Sequence, residues 1–388
     1  MSGPLRVATL ITRLEGGAGA LALHGALALD RREFRAVLIT GLVTGSGVGQ
    51  LDQARAAGLE VIVEPALRAP IDPRCDTSAL RSLSALLSRR QFDVVHTHTA
   101  KAGALGRIAA RRAGVPRVVH TYHGFPFHEF QSRLRRAGYI AVERYLGRFT
   151  DVALCVGTGV AVEAVRRGLL PPERIRTIGV AVPDGPPRCP DSRDRARRAL
   201  GIAPDATVVG AVGRLTYQKA PEDFLTAMRE LTRLRRAGGV RRPDVTGVWV
   251  GGGELAGRVA RLVRSAPEPL VVLAGERADI PEILPAFDVF ALPSRYEGLP
   301  TAVVEAMVCG IPVVASAVNA VSDVVVPGET GLLVPPQRPD LLAEAVGYLL
   351  DHPDAAARMA ANARERLGRR FDVATLRAVL VAAYTGRP

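Results

Sequence analysis

The chain has 388 residues, 48% apolar and 23% charged, which exceeds one ordinary hydrophobic core and is far too apolar for a disordered chain. No apolar run approaches the ~20 residues of a membrane-spanning helix, and the first one, at 5–11, is too short and too charged for a signal segment. The formal charge of +13 leaves three anionic partners open: a small-molecule substrate, a membrane surface, or nucleic acid.

Short β-branched runs at 7–11, 36–40, 61–63, 94–96, 117–121, 152–156 and 175–179 alternate with amphipathic stretches at 18–29, 78–90, 103–112 and 132–148. This βαβ grammar predicts a parallel, doubly wound sheet. A Pro- and Gly-dense stretch at 182–190 can extend neither element type and marks a linker. The grammar then restarts, with strands at 208–212, 246–250, 270–274, 289–292, 312–315 and 331–334. Helical patterns follow at 221–235, 255–264, 301–308, 340–349, 355–368 and 373–384. The expected organisation is a first domain over 1–183, a linker over 184–204, a second domain over 205–370, and a C-terminal helix at 371–388 packing back on the first domain. The fold class is α/β, with two Rossmann-like doubly wound domains facing a central cleft where the carboxyl ends of both sheets hold ligand.

Cys75, Cys155, Cys189 and Cys309 show no C-x-x-C pair and no matching histidine spacing, so neither a disulfide framework nor a zinc site is expected. Of 51 basic residues only Lys101 and Lys219 are lysines. A compact ammonium is not interchangeable with a guanidinium fork, so each is a candidate for a specific contact.

Gly213-Arg214-Leu215-Thr216-Tyr217-Gln218-Lys219 follows a strand, and two cations on a loop at its carboxyl end suit a diphosphate; a solvated basic loop is the plain alternative. Glu297 lies on a Gly- and Pro-bearing turn, and Thr301 opens a helix after Pro300, so free amides point toward bound anions. Glu305 lies one turn into that helix; the alternative is an acidic turn that complements the helix dipole. His120, His123 and His128 lack a supporting carboxylate pattern, so no metal is expected there. Gly251-Gly252-Gly253 lacks the G-x-G-x-x-G spacing of a dinucleotide site. No aromatic-rich basic motif supports nucleic acid as a partner.

These segments resemble the retaining glycosyltransferases of the GT-B fold, family 4. The resemblance covers nearly the whole chain and rests on Gly16-Gly17, on 96–103 (HTHTAKAG) and on 120–124 (HTYHG). It continues through Gly213-Arg214-Leu215 with Lys219, the triplet Gly251-Gly252-Gly253 with Glu254, the E-x7-E pair Glu297 and Glu305, and 328–332 (GETGL). It implies that Arg214 and Lys219 bind the donor diphosphate, Glu305 the ribose hydroxyls and Glu297 the transferred sugar. It also implies that Gly298, Leu299, Pro300 and Thr301 cradle sugar and phosphates, that Gly17 and Gly213 bring backbone to the diphosphate, and that His123 contacts the sugar. Arg277 stands where relatives hold the base, and a solvated loop arginine is equally compatible. Catalytic roles fall to His123, Glu297, Arg214 and Lys219.

Three positions depart from the family pattern: Ala220 follows Lys219 in place of Gly, Val318-Asn319-Ala320 replaces a Gly-Gly, and Gly17-Ala18-Gly19-Ala20 lacks the polar residues that follow the glycine pair. The implied reaction moves a sugar from a nucleoside-diphosphate donor, with UDP the commonest, to an acceptor hydroxyl with retention, no cofactor and no metal. A nucleotide-sugar 2-epimerase is the nearest rival. The basic stretch 131–139 flanks the acceptor side without a strongly apolar face, which sets a small natural-product or cell-envelope precursor first and a lipid-linked acceptor at a membrane surface second. The expected location is the cytoplasm, with peripheral contact to the membrane as the variant.

Overall fold

The computed structural model describes residues 3–43, 45, 47–180, 182, 188–237, 245–266, 270–368 and 371–386. Two compact units result, Met1–Ala181 with Arg369–Pro388, and Val182–Gly368. Residues 183–187 of the Pro/Gly-rich linker, and 369–370 at the second boundary, lie outside the described residues.

The first unit runs β1 (Leu5–Ile11), α1 (Gly16–Ala28), β2 (Phe34–Thr40), α2 (Gly47–Ala56), β3 (Glu60–Val63), α3 (Pro73–Arg90), β4 (Val94–His98), α4 (Ala100–Arg112), β5 (Arg117–Tyr122), α5 (Arg133–Gly147), β6 (Val152–Cys155), α6 (Thr158–Arg166) and β7 (Ile175–Thr177). Its strands pair in parallel in the order β3-β2-β1-β4-β5-β6-β7. The strand order reverses between β1 and β4, the switch point where open α/β sheets bind ligands. Strands such as β1 are buried on both faces, which is why they read as continuous apolar runs rather than alternating ones.

The second unit runs α7 (Pro190–Ala199), β8 (Thr207–Val212), α8 (Pro221–Ala237), β9 (Val245–Val250), α9 (Ala256–Arg264), β10 (Val271–Gly275), α10 (Ile280–Ile283), β11 (Val289–Leu292), α11 (Thr301–Val308), β12 (Val313–Ser316), β13 (Leu332–Val334), α12 (Pro339–Asp351) and α13 (Pro353–Leu367). The parallel order is β10-β9-β8-β11-β12-β13, with the switch point between β8 and β11. Phe224, Met228 and Leu231 of α8 and Leu342 and Val346 of α12 pack with Trp249 over one face of this sheet.

The last helix, α14 (Val373–Thr385), belongs to the first unit, where it packs on α1 and buries Leu376, Leu380 and Tyr384. Helix α7 falls inside the stretch 184–204 that reads as linker. Its buried residues are Ser192, Ala196 and Arg197, so it presents almost no apolar periodicity. Arg197 is fully buried because its Nη2 donates to Asp288 Oδ2 at 2.8 Å.

Candidate active site

In the second unit, the loops after β8 and β11 meet at the switch point. Lys219 Nζ donates to Glu297 Oε1 at 2.5 Å, and Ser294 Oγ donates to the same oxygen at 2.6 Å. Gln218 Nε2 donates to Glu297 Oε2 at 3.3 Å and to the Tyr296 carbonyl at 3.1 Å. The Glu297 side chain is 5% exposed and that of Lys219 15%, so this is a nearly desolvated pair held by two further donors. From β12 onward, Asn319 Oδ1 accepts from the Glu297 amide at 3.4 Å. Arg295 ties the two loops from outside, with Nη1 donating to the Tyr217 carbonyl at 2.9 Å and Nη2 to Asp223 Oδ1 at 3.1 Å.

The glycines around the β8 loop have a steric reason. A Cβ on Gly213 would stand 3.2 Å from Lys219 Cδ, so the lysine stem packs against bare backbone. Gly251 and Gly253 have φ of +137° and +148°, and a Cβ on them would meet the carbonyl oxygens of Gly213 and Leu215 at 2.2 and 2.6 Å. The triplet 251–253 therefore lets β9 press against the Arg214 loop, which the Leu215 amide fixes by donating to the Gly252 carbonyl at 2.7 Å.

Arg214 is exposed on this loop, and its guanidinium makes no hydrogen bond or ion pair among the described residues. Gly298, Leu299 and Pro300 lead into α11, whose first turn begins at Thr301 with no side-chain cap; the Val303 amide donates to the Pro300 carbonyl at 3.0 Å, which leaves those of Thr301 and Ala302 to an anion. Glu305, on α11, is half-buried, and its carboxylate makes no hydrogen bond or ion pair among the described residues. Burial pushes its carboxyl up to about 7. Arg277, after β10, is engaged by Asp279 through contacts of 2.8 and 2.6 Å, so any approach to a base competes with that pair.

In the first unit, Gly17 lies in the first turn of α1, which no side chain caps. The neighbouring loops meet where the Thr12 and Thr99 hydroxyls lie 3.0 Å apart and the Ala102 amide donates to Thr12 Oγ1 at 2.9 Å. His123, just past β5, is hydrogen-bonded to His98 at the end of β4, with His98 Nδ1 2.9 Å from His123 Nε2. His96 sits between the Tyr384 and Thr121 hydroxyls, each 2.7 Å from a ring nitrogen. Burial and repulsion from His123 push His96 down to about 3, and burial pushes His123 down to about 4, so these imidazoles are neutral.

His120 and His123 go to different partners, His120 to the Thr97 hydroxyl at 2.8 Å. No group of three or more ligating side chains converges among the described residues. Lys101 pairs with Asp76 at 2.5 Å and donates to the Pro70 carbonyl at 2.8 Å, which accounts for one of the two lysines as a tie between α4 and α3.

Sequence reasoning missed Ser294, Gln218 and His98, and named Asn319 only as a departure from the family pattern. Ser294 and Gln218 carried a faint signal, being within three residues of Glu297 and beside Lys219. His98 is a tertiary partner of His123 across two strands and carried none.

Residues 192–366 match the family model described as Glycosyl transferases group 1, and residues 15–184 match that of Glycosyltransferase Family 4. The chain is 36% identical over 248 residues to the UDP-Gal:alpha-D-GlcNAc-diphosphoundecaprenol alpha-1,3-galactosyltransferase of Escherichia coli. That match covers 63% of this chain and 62% of the other, so the chain spans less than two thirds of that protein's length. It is 32% identical over 318 residues to the D-inositol 3-phosphate glycosyltransferase of Saccharomonospora viridis, covering 76% of this chain and 70% of that protein. Its fold is similar to that of Anabaena HepE, crystallised in complex with UDP and glucose, with a TM-score of 0.82 and 21% identity over 98% of this chain and 100% of that one.

Proposed function

The chain belongs to the glycosyl transferases group 1 and is a GT-B glycosyltransferase, and from that premise we propose that it moves a sugar from a UDP donor to a hydroxyl of a lipid-diphosphate-linked acceptor, with retention and without a metal ion. The observation that carries the donor assignment is the Lys219–Glu297 pair at the switch point of the second sheet. A nucleoside diphosphate needs cations and amides for its phosphates and a carboxylate for its ribose diol. Arg214, Lys219 and the first turn of α11 supply the former, and the unpaired Glu305 carboxylate the latter. The E. coli relative is named for a UDP donor, which supports uridine.

The negative charge that grows as the glycosidic C–O bond breaks lies on the leaving diphosphate. Arg214, Lys219 and the α11 amides stabilise that charge, so protein cations take the part a metal would play. Glu297, saturated by Lys219, Ser294 and Gln218, is held to orient sugar hydroxyls rather than to attack carbon. The new bond then forms on the face from which the diphosphate leaves, and the departing phosphate oxygen takes the acceptor proton. His123, neutral and paired with His98, is the first unit's candidate for contacting the transferred sugar.

Sequence alone placed a small soluble acceptor first because no apolar face accompanied the basic stretch 131–139. On α5, however, Leu134, Val142 and Tyr145 are 85%, 51% and 53% exposed, beside the exposed Arg133, Arg135 and Arg144. Apolar and cationic side chains exposed together suit an anionic bilayer surface, and the E. coli relative is named for a diphosphoundecaprenol acceptor. No helix among the described residues is long and apolar enough to cross a membrane. The test is label transfer from UDP-galactose, UDP-glucose and UDP-N-acetylglucosamine to a prenyl-diphosphate-linked sugar in anionic vesicles, and to the same sugar free in solution, with EDTA present. Transfer to the lipid-linked sugar with retained configuration supports the proposal; transfer to the free sugar alone overturns the acceptor, and dependence on added metal overturns the metal-free mechanism.

A further inference from the structure

The donor loops leave the carboxyl ends of β8 and β11, but the amino ends of β8, β11 and β12 open on a separate pocket of 610 Å³ within the second unit. That volume lies in the ~300–1,000 Å³ range of small-molecule sites. Its walls differ in chemistry. Leu349, Ala356 and Ala360 of α12 and α13 form an apolar side, and Arg188, Arg193, Arg235 and Arg364 form a cationic one.

The arginines outnumber their acids. Asp288 Oδ1 takes Arg188 and Arg193 at 3.1 and 3.2 Å, while Oδ2 takes the buried Arg197 at 2.8 Å and the Val208 amide at 2.9 Å. Arg235 is 9% exposed, reaches Asp351 through Nη1 at 3.2 Å, and has a buried Nε with no hydrogen-bond partner among the described residues. The exposed Arg364 guanidinium makes no hydrogen bond or ion pair among the described residues. Among the described residues, four guanidiniums, of Arg188, Arg193, Arg235 and Arg364, and two carboxylates, of Asp205 and Asp288, line the pocket, an excess of two positive charges. A buried unpaired donor is costly and rare in folded proteins, and guanidiniums match phosphate oxygens in geometry as well as charge.

We propose that this pocket is a second anion site, distinct from the donor site, which takes an organic diphosphate with its charged end on Arg193, Arg235 and Arg364 and its apolar part on the α13 alanines. The excess of two charges matches a diphosphate, and the alanine wall accounts for an organic rather than an inorganic ligand. A free diphosphate metabolite and a lipid diphosphate share this chemistry.

The experiment is calorimetric titration of the full chain with inorganic pyrophosphate and, separately, with farnesyl diphosphate. It is run on the wild type, on a donor-site variant carrying Arg214→Ala and Glu305→Ala, and on Arg364→Ala and Arg193→Ala. Binding should persist in the donor-site variant and weaken at least tenfold in Arg364→Ala and in Arg193→Ala. The Arg364 guanidinium has no hydrogen-bond or ion-pair partner among the described residues to lose, so its variant should melt with the wild type. Tighter binding of farnesyl diphosphate than of pyrophosphate assigns the site to a lipid diphosphate, and equal binding overturns the apolar seat on the alanines. Loss of all binding in the donor-site variant, or binding indifferent to Arg364→Ala, overturns the proposal.

Discussion

The Lys219 ammonium and the Glu297 carboxylate form one nearly buried ion pair, 2.5 Å apart, although their loops lie 78 residues apart in sequence. The cation that suits a diphosphate and the anion that suits a sugar therefore depend on each other. Lys219→Ala and Glu297→Ala should each destabilise the second unit by about 3 kcal/mol, because each leaves a desolvated charge unpaired. The double variant should cost at least about 1 kcal/mol less than their sum. Urea melts of the four proteins check this. Lys219→Arg should not restore transfer, because the lysine stem packs over Gly213, where even an added Cβ would stand 3.2 Å from Lys219 Cδ, and a guanidinium cannot take that path.

Glu305 carries the clearest pH signature. Burial raises its carboxyl from the ordinary 4.5 to about 7 in the folded chain, so the native state favours the protonated form. Stability from that preference is fully present below 4.5 and is lost as pH rises through about 7. Glu305→Gln should accordingly stabilise the protein at pH 8, by on the order of 1–3 kcal/mol, and the gain should shrink as pH falls toward 4.5. The same substitution should weaken UDP binding at pH 8. Thermal melts and titrations at matched pH check both signs.

The histidines of the first unit act in the opposite direction. Their folded values lie below the ordinary 6.5, at about 3 for His96 and about 4 for His123, so unfolding in acid takes up protons. Stability is full above 6.5 and should fall as pH drops from 6.5 toward 4. A pH series of urea melts should show this loss, and it should be shallower in His96→Asn, where the Tyr384 and Thr121 hydroxyls keep a polar partner. A flat midpoint from pH 7 to 4 would contradict the neutral, buried assignment.

Two family departures fall on left-handed backbone, Ala220 with φ +52° and Asn319 with φ +44°. Asparagine tolerates that region, and Asn319 also receives the Glu297 amide. Alanine does not tolerate it freely, so Ala220→Gly should relieve about 1 kcal/mol of backbone strain while losing a buried methyl worth about 0.8. The expected net change is within about 0.5 kcal/mol, whereas Ala227→Gly inside α8 should cost about 1 kcal/mol or more. Denaturation midpoints of the two variants separate the cases.

The parallel sheets were legible because their strands are buried on both faces and appear as unbroken β-branched runs between helical patterns. Helix α7 was not, since its inward face carries Arg197, whose burial depends on Asp288, 91 residues away. The E-x7-E segment and the Arg214–Lys219 loop were visible as spacing, but nothing local shows that Lys219 belongs to Glu297 or His98 to His123, as both contacts are made by neighbouring strands of a folded sheet. The triplet at 251–253 was visible as glycine, and its use, a close approach to the Gly213 and Leu215 carbonyls, is a tertiary fact.

The most direct test of the donor site is calorimetric titration of UDP against the wild type, Arg214→Ala and Glu305→Ala at pH 8. One saturable site in the wild type, weakened at least tenfold in each variant, is the predicted result. UDP binding unchanged in both variants, or absent from the wild type, would contradict a nucleotide-sugar site built on these residues.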